Sequence, residues 1–405
     1  MSPSVGVVVP TRGDRPRLLR AAVASVLAQA RPEAADVIVV VDGPAQVRAV
    51  ARQLSDGAPP AAPRTAQPAE DAVQVVLDRP GPGLSGPDSG AVGVVCDRPG
   101  LGLPGADGHG AVRVVVNRPD LALSGPDSGA VGVVVDRPDP ALSGPDSGAV
   151  RVVCDRPGPG VRRGAVRVVA NRLSPGLPGA RNTGIAALDT DLVAFCDDDD
   201  VWLPGKLTAQ LAALDADPDA EFAGCAIEVE YGSHRVVRLA GTDQVTRRHL
   251  TRSRMVMVHS STFLFRRGSI WPDESAPGGQ NEDWDLALRA VGRHPIAYVD
   301  RPLVRVRWGG SAYATRWADR IAGLEWMLAR HPYLAADPRG AARIYGQLAF
   351  HHAALGRRAA AWRWARRAFA ARRGEPRVPI ALAVASGLVP AHTMLGLLHT
   401  RGHGI

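Results

Sequence analysis

The chain has the sequence Val-Ala-Phe-Cys-Asp-Asp-Asp-Asp-Val-Trp over residues 193–202, where an apolar run ends in four consecutive carboxylates. The apolar run is typical of a buried β-strand. In open α/β sheets ligands bind just beyond the carboxyl ends of strands, which is where these carboxylates would lie. Four adjacent like charges repel one another, and the sequence shows no basic partner close enough to neutralise them. A divalent cation would do so, because hard ions such as Mg²⁺ bind carboxylate oxygens together with substrate phosphates. A solvated acidic turn before the next helix is the alternative.

Two strand-like segments near the N-terminus have a nucleotide-binding layout. Residues 5–9 and 37–41 are apolar runs of the kind that is buried on both faces of a parallel sheet. A loop over residues 10–16 and an amphipathic helical pattern lie between them. Asp42 directly follows the second run, where it could hydrogen-bond a ribose or a base, or could be an aspartate of a turn.

A tandem array follows a linker rich in Pro and Ala at residues 57–70. Each unit has a short apolar run, then Asp or Asn followed by Arg, then a segment rich in Gly, Pro and Ser. The units begin at Ala72, Ala91, Ala111, Ala130, Ala149 and Ala165. Only the last unit continues into Ala-Arg-Asn at 180–182, so we interpret residues 72–164 as copies inserted before one native strand at 166–170. The copies would either pair their strands, as in a small solenoid, or stay loosely ordered.

Composition narrows the class of protein. A chain of 405 residues with 45% hydrophobic residues can bury a core in two or three domains, or in one large domain with additions. The net charge of +8 is concentrated in Arg residues near the C-terminus, and no basic and aromatic residues are interleaved as in a nucleic-acid motif, so we expect no nucleic-acid partner. Four Cys without metal-ligand spacing, and no recognisable signal peptide, predict a cytoplasmic protein. The most apolar stretch, residues 380–398, is interrupted by Pro390 and His392, which favours a packed or interfacial helix over a membrane span.

Several motifs, taken together and in order, resemble family 2 glycosyltransferases. They are Val-Val-Val-Pro-Thr at 7–11, Val-Val-Asp-Gly at 40–43, Ala-Arg-Asn at 180–182, the acidic run, and Asn-Glu-Asp-Trp-Asp at 281–285. The resemblance covers residues 5–56 and 165–312. It implies an α/β A-type glycosyltransferase fold with a mostly parallel central sheet, here with a tandem-repeat insert and a C-terminal helical extension. The chain departs from the family pattern at Arg12, Val41 and Trp308, where relatives often have an aromatic residue, a carboxylate and a His.

The resemblance also implies roles for individual residues. It implies inverting transfer of a sugar from a nucleotide-diphosphate sugar to an acceptor hydroxyl, with Mn²⁺ or Mg²⁺ bound by Asp197 and Asp199. Asp198 is a further candidate, because four consecutive Asp leave the register of the motif open by one residue. Asp283 would be the general base that deprotonates the acceptor, although acids in a first helical turn can also serve only the helix dipole. Glu282 and Trp284 would support the acceptor side. Contacts to the nucleotide and the diphosphate are expected from Pro10, Thr11, Arg12, Asp42, Arg181, Asp197 and Asp198. Arg181 suits a diphosphate because it lies near a helix start, and a surface Arg is the alternative. His259 is either a contact on the acceptor side or a structural His.

These inferences divide the chain into four parts. Residues 1–56 would form the nucleotide-binding half of the catalytic domain, and residues 57–164 the linker and repeat insert. Residues 165–311 would carry the metal and acceptor sites. Residues 312–405 would be a basic helical extension. Its basic helices either pack on the catalytic domain or contact the inner face of the plasma membrane peripherally, where a lipid-linked acceptor would be found. A glycan or a small molecule is the other class of acceptor.

Two other functions fit parts of the sequence. A nucleotidyltransferase can use a similar sheet and acidic metal site, although Glu282 and Asp283 at a helix start suit a base for a hydroxyl better. A non-catalytic nucleotide- or sugar-binding protein with repeats would result if the insertion had ended catalysis.

Overall fold

The computed structural model describes residues 3–29, 34–55, 73–75, 91–95, 111–115, 166–308 and 316–400. The linker at 57–70, the repeat units beginning at Ala130 and Ala149, and the loop at 309–311 lie outside these residues. The chain divides into two compact units. One contains residues 1–73 and 163–405, and the other contains residues 74–162.

The strands alternate with helices in the first unit, as expected for an α/β protein. The strands, in chain order, are β1 Val5–Thr11, β2 Ala34–Val41, β3 Val73–Val75, β4 Ala91–Val95, β5 Ala111–Val115, β6 Val166–Ala170, β7 Leu192–Phe195, β8 Val201–Trp202, β9 Phe222–Tyr231, β10 His234–Arg238, β11 Gln244–Val245, β12 Leu264–Arg266 and β13 Ile296–Arg307. The helices are α1 Pro16–Leu27, α2 Val47–Ser55, α3 Leu177–Ala187, α4 Lys206–Ala216, α5 Arg247–Arg252, α6 Glu282–Arg293, α7 Trp317–Arg330, α8 Tyr333–Ala336, α9 Pro338–Ala354, α10 Arg358–Ala371, α11 Arg377–Ala385 and α12 Ala391–Thr400.

The central sheet of the first unit has the strand order β11-β13-β9-β12-β7-β1-β2-β6, with β10 paired to β9 and β8 paired to β13. The pairs among β7, β1, β2 and β6 are parallel, and so is the long pair of β13 with β9. The short strand β12 runs antiparallel between β7 and β9. This architecture confirms the predicted α/β A-type glycosyltransferase fold.

Apolar side chains on both faces of the sheet explain the valine-rich strands. Val7 and Val9 belong to one core cluster, together with buried residues of α1, α2 and α4, while Val8 belongs to the cluster on the opposite face with α3 and α6. A strand alternates its side chains between the two faces, so a strand covered by helices on both sides is apolar throughout.

The described strands of the second unit form a small sheet. β4 and β5 pair antiparallel, from Ala91↔Val115 to Val95↔Ala111. Both strands begin at the start of a predicted repeat unit. Whether the array as a whole pairs in this way stays a prediction.

The C-terminal helices pack around α9 in the first unit. The side chain of Asp337 caps α9 by accepting hydrogen bonds from the backbone N–H groups of Arg339 and Gly340. α11 and α12 occupy the apolar stretch at 380–398, and no described helix is long and apolar enough to cross a membrane. Trp362 and Phe369 of α10 are half exposed. The predicted contact with a membrane surface involves this helix, and it stays a prediction.

Candidate active site

The carboxyl ends of three parallel strands place predicted donor-binding residues around one cavity. β1 pairs with β2 as far as Thr11↔Val41 and with β7 as far as Val8↔Phe195, so the residues that follow these strands meet at one edge of the sheet. The cavity there has a volume of about 490 Å³. Residues predicted to bind the donor or the metal that line it are Pro10, Thr11, Arg12, Asp42, Asp197, Asp198 and Asp199. Asp200, His259 and Trp308 line it as well.

Asp42 shapes the wall of this cavity. Its carboxylate accepts a hydrogen bond from the side-chain amide of Asn171 at 3.0 Å and another from the backbone N–H of Gly176 at 3.0 Å. These bonds tie the loop between β6 and α3 to the end of β2. Asp42 is therefore more than an aspartate of its own turn, because it connects two segments that lie more than a hundred residues apart.

The acidic run has basic partners, so the expectation that it lacks them is wrong. The guanidinium of Arg15 donates to Asp198 at 2.6 Å and also to Asp199. The hydroxyl of Thr11 donates to Asp198 at 2.6 Å. The expectation considered only residues near in sequence, whereas the parallel pairing of β1 with β7 places Arg15 next to a run 183 residues further along.

Arg181 lies beneath the run instead of on the cavity wall. Its side chain is 1% exposed, and its two terminal nitrogens donate to Asp197 at 2.5 Å and to Glu282. Arg181 thus joins the acidic run to the start of α6. In this structure it holds two carboxylates in place and does not face the space where a diphosphate would bind.

Asp197, Asp200 and His259 form a group of side chains that could hold a metal ion. Their ligand atoms lie within 4.8 Å of one another. Ser260 and Ser261 orient the carboxylates, since their hydroxyls donate to Asp197 at 2.9 Å and to Asp200 at 2.6 Å. Two carboxylates and an imidazole are a suitable donor set for a divalent ion such as Mn²⁺. The sequence reasoning missed Asp200 and His259 as ligands, although both belong to features that it examined.

The electrostatics of the run differ from residue to residue. Burial raises the pKa of Asp198 to about 6, even though Thr11 and Arg15 bond to its charged form. Burial, with the charges of Asp199 and Asp197, raises the pKa of Asp200 well above its usual range. Burial opposes ionisation of Asp197 too, but Arg181 and then His259 outweigh it, so that its pKa is lowered. Ionisation of the whole run is therefore unfavourable, and a bound cation would favour it.

Asp283 begins α6 in a protected position away from the lining of this cavity. It is 8% exposed, and one nitrogen of Arg254 donates to both of its carboxylate oxygens, at 2.8 and 2.7 Å. Burial acts to raise its pKa, but Arg254, followed by His259, outweighs it and holds the pKa below its usual range. The carboxylate is thus ionised, as a general base must be, but both of its oxygens already accept hydrogen bonds from Arg254.

Trp284 and Glu282 are buried beside Asp283. Trp284 is 1% exposed, and its indole N–H donates to the backbone carbonyl of Leu250 at 3.3 Å. Glu282 is 3% exposed and bonds to Arg181. Both residues therefore support the start of α6 from within the core and do not themselves present a surface to an acceptor.

An acidic run at the end of a central parallel strand is typical of A-type glycosyltransferase folds. Residues 160–272 match the model of the family described as Glycosyl transferase family 2. This segment includes Arg181, the acidic run and His259. This match places a family 2 glycosyltransferase domain at residues 160–272 and supports a glycosyltransferase enzyme.

Two solved structures illustrate the chains to which this chain is similar. Staphylococcus aureus TarS 1–349 in complex with UDP-GlcNAc is 10% identical, with a TM-score of 0.48 over 99% of this chain and 92% of that chain. The mannosyltransferase PcManGT from Pyrobaculum calidifontis, in complex with GDP-Man and Mn²⁺, is 14% identical, with a TM-score of 0.41 over 98% of this chain and 79% of that chain. The search of curated proteins found no match.

Proposed function

We propose that the chain transfers a sugar from a nucleotide-diphosphate sugar to an acceptor hydroxyl, with inversion at the anomeric carbon and with a divalent cation. The observation that carries this proposal is the single cavity that brings Thr11, Asp42 and the acidic run together with His259. A polar cavity at the carboxyl edge of a parallel sheet is where α/β proteins bind nucleotides.

The donor would lie along the edge of the sheet. Asp42, at the end of β2, is available to the nucleoside because it lines the cavity. Arg12 and Arg15 line the same cavity and supply positive charge for the diphosphate. To bind the diphosphate, the guanidinium of Arg15 would have to leave Asp198 and Asp199 and bond to phosphate oxygens. A cation bound to the acidic run would repel the guanidinium and so favour this change of partner.

Asp197, Asp200 and His259 would hold the cation, which we expect to be Mn²⁺ or Mg²⁺. Asp199 lies in the same run, so it is a further candidate ligand once Arg15 has moved. A cation held by these residues would supply Lewis acidity to the departing diphosphate.

Asp283 would act as the general base. The acceptor oxygen forms a bond to the anomeric carbon, the bond from that carbon to the diphosphate breaks, and the hydroxyl proton passes to the carboxylate of Asp283. The nucleoside diphosphate leaves with the bonding electron pair. A carboxylate that is ionised and buried suits this step, provided that it comes within hydrogen-bond reach of the hydroxyl.

The first prediction tests the base. Asp283→Asn should abolish transfer, about a thousandfold or more in rate, while nucleotide binding remains, because Asp283 does not line the donor cavity. A panel of sugar nucleotides with Mn²⁺, scored first by thermal shift, identifies the donor. Release of nucleoside diphosphate in the presence of acceptors then measures turnover.

The exposed Asp219, which lies between α4 and β9, provides the matched control through Asp219→Asn. Its activity should equal that of the unmodified chain. Retained transfer by Asp283→Asn would exclude Asp283 as the base. Absence of binding to every sugar nucleotide would contradict the proposed donor class.

A further inference from the structure

A row of polar side chains is buried along one face of α9. Arg343, Gln347 and His351 follow one another at intervals of four residues and therefore lie on the same face of the helix. Arg343 is 8% exposed and His351 is 1% exposed. The Nε and Nη2 atoms of Arg343 and both ring nitrogens of His351 are buried without a hydrogen-bond partner. Buried polar groups in folded proteins are nearly always bonded, so these atoms could form hydrogen bonds with a ligand.

The surroundings of this row are strongly basic. Burial, with the charges of Arg377 and Arg254, lowers the pKa of Arg343 to about 9. Burial and the charge of Arg254 likewise lower the pKa of Arg320, on α7, to about 10. Arg254 is bonded to Asp283, and Arg377 to Glu375. Positive charge thus exceeds negative charge in this part of the described chain.

The basic cluster adjoins the proposed base. The guanidinium carbon of Arg343 lies 4.8 Å from the centre of the Trp284 ring, and Trp284 directly follows Asp283. Arg254 contacts Asp283 itself. The cluster therefore reaches from the proposed base to residues of α7 and α9.

We propose that Arg254, Arg320 and Arg343 bind an anionic group of the phosphate type that the acceptor carries close to its reactive hydroxyl. Guanidinium groups match the oxygens of a phosphate geometrically and hold them with charge-assisted hydrogen bonds. The Nε and Nη2 atoms of Arg343 provide two such donors. The identity of the anion as part of an acceptor rests on the proposed function.

Binding of the anion also acts on the base. Arg254 would divide its hydrogen bonds between the phosphate and Asp283, so the carboxylate would be freed to accept the hydroxyl proton. An acceptor without the anionic group would leave Arg254 on Asp283. The same cluster would thus select an anionic acceptor and make catalysis depend on it.

The test uses the full chain and glycerol phosphate as the probe, with glycerol and inorganic phosphate as comparison ligands. Thermal unfolding and titration calorimetry measure binding to the unmodified chain, Arg343→Gln and Arg366→Gln. Arg366 lies exposed on α10 and provides a control of equal charge. Arg343→Gln removes a buried, partly unbonded charge, so we expect it to fold.

We expect glycerol phosphate to raise the unfolding temperature of the unmodified chain and of Arg366→Gln, and glycerol to have no effect. Arg343→Gln should bind glycerol phosphate about tenfold more weakly, as expected for the loss of hydrogen bonds to a charged group. Equal binding by Arg343→Gln and the unmodified chain, or no binding by either, would overturn the site. Inorganic phosphate binding as tightly as glycerol phosphate would show an adventitious ion only and overturn the acceptor assignment.

Nucleotide binding with Mn²⁺, measured on the same proteins, separates this inference from the proposed function. Loss of anion binding in Arg343→Gln with normal nucleotide binding supports the basic cluster. Normal nucleotide binding together with no response to glycerol phosphate rejects the cluster and leaves the proposed donor site standing. Anion binding without nucleotide binding rejects the donor site instead.

Discussion

At the scale of single residues, the acidic run depends on partners from distant parts of the sequence. Arg15 comes from the start of α1 and Arg181 from α3, and between them they bond Asp197, Asp198 and Asp199. A guanidinium on a buried carboxylate offsets its desolvation only when the geometry is good, and removing one partner leaves an unpaired charge. The two arginines therefore stabilise the carboxylates among which we propose that a cation binds.

The second prediction concerns the ligands of that cation. We expect His259→Gln to weaken Mn²⁺ binding about tenfold or more, because it removes one of the three grouped ligands. Asp199→Asn should weaken it less, since Asp199 already bonds to Arg15. Titration calorimetry with Mn²⁺ measures both effects, and Asp219→Asn again serves as the control. If Asp199→Asn lost most of its Mn²⁺ affinity while His259→Gln kept its own, the ion would have to be assigned to Asp197 and Asp199 instead.

The third prediction concerns pH. Burial, with the charges of Arg320 and His352, lowers the pKa of His351 well below its usual value. The unfolded chain binds a proton near pH 6.5 that the folded chain does not bind, so the free energy of unfolding falls as the pH drops below 6.5. At pH 5 this loss amounts to about 2 kcal/mol relative to pH 7.5.

His351→Leu should remove that loss. Urea unfolding of the unmodified chain and the variant at pH 7.5 and pH 5 measures it, as the difference between their two pH responses. His234→Gln, on the exposed strand β10, changes a His that is not buried and should keep the response of the unmodified chain. An identical pH response in His351→Leu would show that His351 is protonated in the folded state.

At the scale of helices and strands, the features that could be predicted from the sequence are those that depend on a few consecutive residues. The apolar runs of β1 and β2 and the position of Asp42 after β2 are visible in a few consecutive residues, and the structure places them as expected. The pairing of Arg15 with the run was not visible, because it depends on which strand lies beside β1. The burial of Trp284 was equally hidden, since α5 and α9, which cover it, follow no motif.

The loop between β6 and α3 carries part of the cavity wall and depends on Gly179. A Cβ atom at this position would lie 1.9 Å from the backbone carbonyl oxygen of Ser174, so the loop would have to move. Gly176 and Leu177 line the cavity and belong to the same segment. Glycine at 179 therefore allows α3 and the loop to approach closely enough to form the donor site.

The fourth prediction is that Gly179→Ala lowers both stability and nucleotide affinity. We expect a loss of about 1–3 kcal/mol in the free energy of unfolding, as for other overpacked sites, and weaker nucleotide binding because the wall moves. Gly396→Ala provides the control, since no atom lies within 4 Å of the Cβ that it adds in α12. Gly179→Ala with unchanged stability would show that the loop can yield without cost.

At the scale of the whole molecule, the first unit contains every part that the proposed reaction requires. Its two stretches, residues 1–73 and 163–405, supply the parallel strands, the cavity and α6. β2 and β6 pair in register from Val37↔Val166 to Val41↔Ala170, although the repeats separate them in sequence. The sequence repeats lie in this interval, and only the last unit continues into the helix that carries Arg181. The interpretation of residues 72–164 as inserted copies stays a prediction.

The fifth prediction follows from this division of the chain. Deleting residues 74–162 and joining Val73 to Arg163 should give a folded protein, because both core clusters of the sheet consist of residues outside the deletion. Its nucleotide affinity should stay within about twofold of the full chain, since a change of that size is below 0.5 kcal/mol. Circular dichroism, thermal unfolding and nucleotide titration check these expectations. A deletion of residues 34–55, which removes β2 and α2 from the core, serves as the control for a chain that cannot fold. If the shortened chain were insoluble or failed to bind nucleotide, the repeats would have become part of the folding unit, and the interpretation of residues 72–164 as inserted copies of a native strand would have to be abandoned.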